Sequence, residues 1–148
     1  MSLALQSSLA DPAPHDAPLA DFRGIAPIVP VRNVAASLRF YVELLGFAVL
    51  QRNEDSSAAL VARGPVRLML LRVGQLKALE ATREHFSAYV WVSDLDALWD
   101  ELAPALAALP SHRVRAPFAQ AYGVREFHLK DPDGFLLFFA EDPFAADG

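Results

Sequence analysis

The feature that most constrains this chain is that it repeats itself. Val31-Arg32-Asn33-Val34 aligns with Val92-Ser93-Asp94-Leu95 at an offset of 61 residues. At the same offset Leu38 meets Trp99, Tyr41 meets Leu102 and Leu45 meets Leu106. Amphipathic helices resemble one another, so any one match says little. A strand end, a helix-capping residue and an apolar stripe in a single register say more, and a repeat of that kind marks a duplicated supersecondary unit.

The punctuation along the chain defines the unit. Ile25 to Val31 reads as a strand, with Pro27 and Pro30 placing it at an edge or an irregular start. Asn33 is a good N-cap, and Val34, Leu38, Tyr41 and Leu45 follow at helical spacing. Gly46 stands where a C′ glycine ends such a helix. Phe47–Arg52, Ser57–Ala62 and Val66–Arg72 read as strands, separated by polar turns at 53–56 and 63–65. A polar connector then leads to a second set. Its parts are a strand Phe86–Val92, an Asp94 cap with the stripe Leu95, Leu98, Trp99 and Leu102, and strands His112–Phe118, Val124–Lys130 and Phe135–Ala140. Pro104 is expected to kink or end the second helix, because it lacks an amide donor and its ring strikes the carbonyl four residues back. Each half is therefore a βαβββ module. The divisions are an N-terminal arm (1–22), a first module (23–73), a connector (74–85), a second module (86–141) and a C-terminal tail (142–148).

Composition limits the function. With 53% hydrophobic residues in 148 there is material for a real core, and the ten Phe gather late in the chain. A net charge of −5 repels phosphate backbones, so nucleic acid is not an expected partner. The absence of cysteine excludes disulfides, thiolate metal sites and a Cys nucleophile, and fits a cytoplasmic location. No apolar run is long enough to span a bilayer, so no membrane association is expected. The first ten residues carry no Lys or Arg and are broken by Asp11, Pro12 and Pro14, so no secretory signal is expected either. Leu3, Leu5 and Leu9 are apolar positions available to pack on a neighbour.

In order along the chain stand Ala26-Pro27-Ile28-Val29-Pro30-Val31-Arg32-Asn33, Phe40-Tyr41, Leu45-Gly46-Phe47, Val92-Ser93-Asp94-Leu95, Tyr122-Gly123-Val124-Arg125-Glu126-Phe127 and Asp131-Pro132-Asp133-Gly134. Over residues 25–141 this order resembles the vicinal oxygen chelate superfamily, the glyoxalase, bleomycin-resistance and dioxygenase proteins, and most of all its bleomycin-resistance branch. The resemblance implies an α+β fold: two tandem βαβββ modules forming a curved mixed sheet with a concave cavity. It also implies a homodimer whose cavities are built from both chains. Asp131–Gly134 reads by itself as a turn and nothing more, with Pro132 presetting φ and Gly134 taking a positive-φ position.

The superfamily's enzymes hold a divalent metal on the concave face with His, Gln or Glu from the first and last strand of each module. Carried over by position, those sites fall on Ala26, Leu71 (Leu70 if the register slips), Ser87 and Phe138. None is a good donor, so no metal of the family type, and no other cofactor, is expected. The hairpin around Asp131–Gly134 pairs Lys130 with Leu136, His128 with Phe138 and Glu126 with Ala140, so alternation turns Glu126 and His128 toward the cavity with Phe138. Tyr89 and Trp91 share the face of Ser87, while Ile28 and Pro30 share that of Ala26. An apolar, aromatic wall with a few polar groups is the usual make-up of a small-molecule site. The expected ligand-binding residues are thus Ile28, Pro30, Tyr89, Trp91, Glu126, His128 and Phe138.

Each of these residues also has a plainer reading. Glu126 can pair with Arg125 or Arg115, His128 can be a satisfied core histidine, and the aromatic residues can be core. Glu126 and His128 are the candidates for acid–base work, because His titrates near neutrality beside a carboxylate; His15, His85 and His112 are given no role. Three functions follow. The first is a metal-free protein that binds or sequesters a small aromatic or cationic molecule through stacking and cation–π contacts. The second is a lyase, isomerase or dioxygenase of the same fold acting without the usual metal site. The third is a non-catalytic interaction module.

Overall fold

The computed structural model describes residues 20–145; the expectation for Leu3, Leu5 and Leu9 lies outside them. Strand β1 (Ile28–Val31) is followed by a helix that begins as α1 (Val34–Leu38) and continues as a π-helical segment (Arg39–Leu44). Strands β2 (Ala48–Arg52), β3 (Ala58–Arg63) and β4 (Val66–Arg72) complete the first βαβββ unit. After helix α2 (Leu76–His85), the second unit runs through β5 (Ser87–Val92), α3 (Leu95–Leu106), a 3₁₀ turn (Ser111–Arg113), β6 (Val114–Ala119), β7 (Arg125–Lys130) and β8 (Leu136–Glu141). The strands make two four-stranded mixed sheets, ordered β1-β4-β3-β2 and β5-β8-β7-β6. In each, the strand that opens the module lies parallel to the one that closes it, and the other pairs are antiparallel.

Both helices start where the caps direct. The Asn33 and Asp94 side chains accept from the amides of Ala36 and Ala97, each at 2.9 Å, three residues on. Gly46 ends the first helix at φ +75°, a conformation that L side chains rarely adopt. The helix widens before it ends, as shown by the Leu45 amide bonding back five residues to the Phe40 carbonyl. Phe40 and Tyr41 both bury on this widened segment.

Two expectations are corrected. The connector is not without structure, because ten of its residues form α2, which buries Leu79. Its apolar anchor at the module junction is Leu79, not a repeating stripe, and Arg83 ties it to the Asp133 carbonyl. Pro104 does not end α3. It is exposed and only two residues from the last helical one, so water can serve the carbonyl it leaves free, while the Ala107 amide still reaches the Ala103 carbonyl at 3.0 Å.

The inner sheet faces share one core. Val29, Val31, Leu68 and Leu70 of the first sheet bury with Phe127, Leu129, Leu137 and Phe139 of the second, and with Tyr41, Leu45, Leu102 and Leu106 from the helices. Each helix also grips the hairpin turn of the other module. From α3, Glu101 takes both guanidinium nitrogens of Arg63 at 2.9 and 3.1 Å, an exposed pair that contributes little. From the first helix, the buried Tyr41 hydroxyl donates to Asp131 Oδ2 at 2.9 Å. The other Asp131 oxygen accepts the amides of Asp133 and Phe135, both at 2.9 Å. Asp133 accepts the Arg32 amide at 3.1 Å, and its carbonyl accepts from Arg83 of α2. The Asp-Pro-Asp-Gly segment is therefore more than a turn; it joins the two modules.

Burial, which outweighs the Tyr41 and amide bonds, raises the Asp131 carboxyl to about 6. A carboxyl raised on folding favours the fold below its unfolded value near 3.8, and that stability is lost as the pH climbs through 6. We predict a fall of about 3 kcal/mol at most between pH 4 and pH 7 from this group. Urea unfolding across that range should show the fall in the native protein and a flatter profile in Asp131→Asn; identical profiles would refute it.

Candidate functional site

Because the inner faces are taken by the shared core, the alternate residues of each sheet turn away from it. On the first sheet Ile28 is 61% exposed and Leu71 is exposed with it, beside Pro30, Leu60 and Met69 in the same register, an aliphatic surface. On the second, Tyr89 and Trp91 are exposed at 38% and 52%, beside Phe138, an aromatic one. The hairpin registers Lys130–Leu136, His128–Phe138 and Glu126–Ala140 are as the turn dictated. Parallel pairing adds Tyr89 beside Phe138.

The rings form one continuous wall. Tyr89 stacks on Phe138 with centroids 5.6 Å apart and planes at 22°. Trp91 meets Tyr89 edge-on at 5.7 Å and Phe144 at 6.2 Å. His128 lies 4.4 Å from Phe138 and 5.0 Å from Phe118. A bulge in β6 places Arg115 opposite His128 and Phe118 opposite Glu126. Residues three apart would otherwise fall on opposite faces. Pro117 sits within the bulge, where no ladder amide is needed. The result is the Arg115 guanidinium 3.5 Å over the Phe118 ring.

Under this wall lies Glu126, its side chain 0% exposed. Tyr122, carried on the turn before β7, donates its hydroxyl to Glu126 Oε1 at 2.8 Å and stands 3.4 Å from the Tyr89 hydroxyl. The other oxygen, Oε2, has no hydrogen-bond partner; neither does His128 Nε2, 3.7 Å away and also buried. Burial pushes the Glu126 carboxyl up, but the Tyr122 hydroxyl, with Gln120, Tyr89 and His128, more than offsets this and holds it below the usual carboxylate range. Burial likewise lowers His128; the Glu126 charge opposes the shift and the Arg115 charge adds to it. Near neutral pH the pair is a carboxylate beside an uncharged imidazole. Arg125 does not neutralise it, being engaged with Asp96 at 3.0 Å and Glu141 at 3.2 Å.

Of the residues expected at the site, Tyr89, Trp91, Glu126, His128 and Phe138 are brought together. Ile28 and Pro30 are not, since they lie on the open face of the other sheet. Arg115, Phe118, Tyr122 and Phe144 were not expected there. The bulge is what recruits Arg115 and Phe118, and Pro117 was its only trace in the sequence. Nor is the aromatic wall an enclosed cavity within one chain. A cavity of about 600 Å³ opens instead between the β3–β4 turn and α3, lined by Phe47, Arg63, Trp91, Leu98 and Phe139 among others.

The residues at the metal positions do not fit a metal. Ala26 precedes β1, Ser87 opens β5 and Phe138 lies in β8; Met69 pairs with Ile28 as Phe138 pairs with Tyr89, so by pairing Met69 rather than Leu71 is the counterpart of Phe138. The change supplies no oxygen or nitrogen donor. Among the described residues no three His, Asp or Glu side chains converge on one point.

With this geometry in place, comparison with known proteins decides the family. The family model for the Glyoxalase/Bleomycin resistance protein/Dioxygenase superfamily matches residues 24–139. The chain belongs to this superfamily. Among solved structures, the bleomycin-binding protein of bleomycin-producing Streptomyces verticillus, complexed with copper(II)-bleomycin, is 28% identical, with a TM-score of 0.69 over 84% of this chain and 99% of that one. A bleomycin resistance determinant encoded on transposon Tn5 is 25% identical, with a TM-score of 0.66 over 81% of this chain and 98% of that one. A lactoylglutathione lyase from Agrobacterium tumefaciens, at 12% identity and a TM-score of 0.59 over 82% of this chain and 95% of that one, shares the fold. No curated protein sequence matches significantly. Among the described residues of this superfamily member, no helix is long and apolar enough to cross a membrane.

The electrostatics give a direct check. In an NMR titration His128 should titrate below its ordinary value of 6.5. Glu126→Gln should lower it further, because a charge favouring the imidazolium is removed, and Arg115→Ala should raise it. Shifts in the reverse directions would show that the pair is arranged otherwise.

Proposed function

We propose that this superfamily member binds and sequesters a planar, cationic small molecule of bleomycin-like chemistry, without a metal of the family type. The observation that carries this reading is the exposed wall of Tyr89, Trp91 and Phe138 over the buried carboxylate of Glu126. Monomeric proteins seldom leave apolar rings in a contiguous exposed patch unless something covers them. Stacked rings with a negative charge beneath suit a flat, positively charged partner. The likeness to bleomycin-binding proteins over nearly their whole length supports the same ligand class.

Two copies of the chain complete the site. Ile28 and Pro30 belong to the aliphatic open face, and Tyr89, Trp91 and Phe138 to the aromatic one. A homodimer that sets one face against the other gathers all of them around one ligand and removes both apolar surfaces from water. A metal-independent enzyme is less well supported. His128 Nε2 and Glu126 Oε2 are 3.7 Å apart, too far for a good hydrogen bond, and both are covered.

Titrating bleomycin while following tryptophan emission should give a saturable change at micromolar concentration, and Trp91→Ala should weaken binding at least about tenfold, the loss of roughly 1.4 kcal/mol of stacking. No saturable change in the native protein would remove the drug-binding reading. In sedimentation equilibrium the chain should run at twice its 16.2 kDa mass; a strict monomer would defeat the shared site. Elemental analysis should find no stoichiometric Ni, Zn, Fe or Mn, and one such ion per chain would overturn the metal-free assignment.

A further inference from the structure

A carboxylate with 0% exposure needs compensation, because an isolated buried charge is costly. Around Glu126 none of the neighbours supplies a cation. Tyr122 and Tyr89 offer hydroxyls and Gln120 a neutral amide, the His128 imidazole is 3.7 Å away, and the Arg115 guanidinium is stacked on Phe118. Arg125, next in the chain, serves Asp96 and Glu141. One Glu126 oxygen and the facing His128 nitrogen are left as buried atoms without a partner. Unpaired buried polar groups are rare enough in native structures that each asks for a reason.

The cover over the pair is slight. Tyr122 is 63% exposed and sits on a short turn, closed by the Gly123 amide on the Gln120 carbonyl at 2.9 Å, with Gly123 at φ +89°. It reaches the site through two hydroxyl contacts, to Glu126 and Tyr89, and with most of its ring in solvent an outward swing leaves the core in place.

We propose that Glu126 is the cation-recognition residue of the aromatic face, capped in this structure by the Tyr122 phenol, and that it takes an amidinium, guanidinium or ammonium group borne by a planar aromatic ligand. This rests on the ligand-binding reading above and names its polar determinant. A nitrogen placed about 2.8 Å from both Glu126 Oε2 and His128 Nε2 spans the 3.7 Å between them and donates to each. The ligand's ring then lies against Tyr89 and Phe138. The Tyr122 hydroxyl competes for the carboxylate and so tunes affinity, which makes Tyr122 a positioning residue.

The test uses benzamidine, a planar ring carrying an amidinium, against benzamide, its neutral isostere, by isothermal titration calorimetry on the full chain. The native protein should bind benzamidine at least about tenfold more tightly than benzamide. Glu126→Gln should erase that preference, bringing the two probes to within about twofold of each other. Tyr122→Phe keeps the ring and removes the competing hydroxyl, and should tighten benzamidine about threefold or more without changing benzamide. Because Tyr122 is exposed, this variant decides the matter even if Glu126→Gln fails to fold. Equal binding of the two probes, undetectable benzamidine binding at millimolar concentration, a preference that survives Glu126→Gln, or benzamidine binding unaffected or weakened by Tyr122→Phe each overturns the assignment. Bleomycin separates this from the broader reading. Saturable bleomycin binding with no amidinium preference removes Glu126 as the determinant and leaves the function standing. An amidinium preference without bleomycin binding keeps the cation site and removes the drug.

Discussion

The architecture depends on a single carboxyl group buried where the modules meet. Asp131 holds its own turn through two backbone amides and holds the opposite module through Tyr41, while Asp133 beside it takes the Arg32 amide and, through its carbonyl, Arg83 of the connector helix. Neither four-stranded sheet with its short helix can bury its inner face alone. The two do so against each other, and this polar joint sets how they meet. Its cost is a charge in a poor solvent, which burial makes harder to ionise. The equivalent contact in the other direction, Arg63 to Glu101, is exposed and weak by comparison. A duplicated unit has thus kept the exchange of contacts at both hairpin turns and buried only one of them.

Sharing the inner faces has a functional consequence. Every outward residue of both sheets is left for another purpose, and the two modules have diverged in how they use it. The first presents aliphatic side chains; the second presents Tyr89, Trp91, Phe118 and Phe138 around a buried acid. The aromatic and ionisable groups of the candidate site belong to the second module and the aliphatic surface to the first. At the positions that the resemblance marks for metal ligands stand Ala26, Ser87, Phe138 and, by strand pairing, Met69, none of them an ordinary oxygen or nitrogen donor.

Much of the fold was legible because it rests on local rules. Asn33 and Asp94 announce helix starts, Gly46 a helix end, and the Asp131–Gly134 turn dictates the β7–β8 register down to His128 opposite Phe138. Less visible were features whose cause lies elsewhere in the chain. Among the described side chains of helix α2 only Leu79 is buried, so the helix shows no apolar periodicity. Arg115 and Phe118 reach one face only because β6 bulges, and a Pro in a strand signals irregularity without saying which side chains it gathers.

The repeat at 61 residues determined the two βαβββ units, their order and the alternation that makes one sheet face apolar and the other available, since caps, turns and side-chain periods act within a few residues. Only the tertiary structure decided that Ile28 and Pro30 part company with Tyr89, Trp91 and Phe138, that Asp131 is a joint rather than a bare turn, and that Glu126 is sealed beneath Tyr122 with one oxygen unpartnered. These depend on how two separately formed sheets dock, and docking follows the total surface they bury together, which no local stretch of sequence encodes.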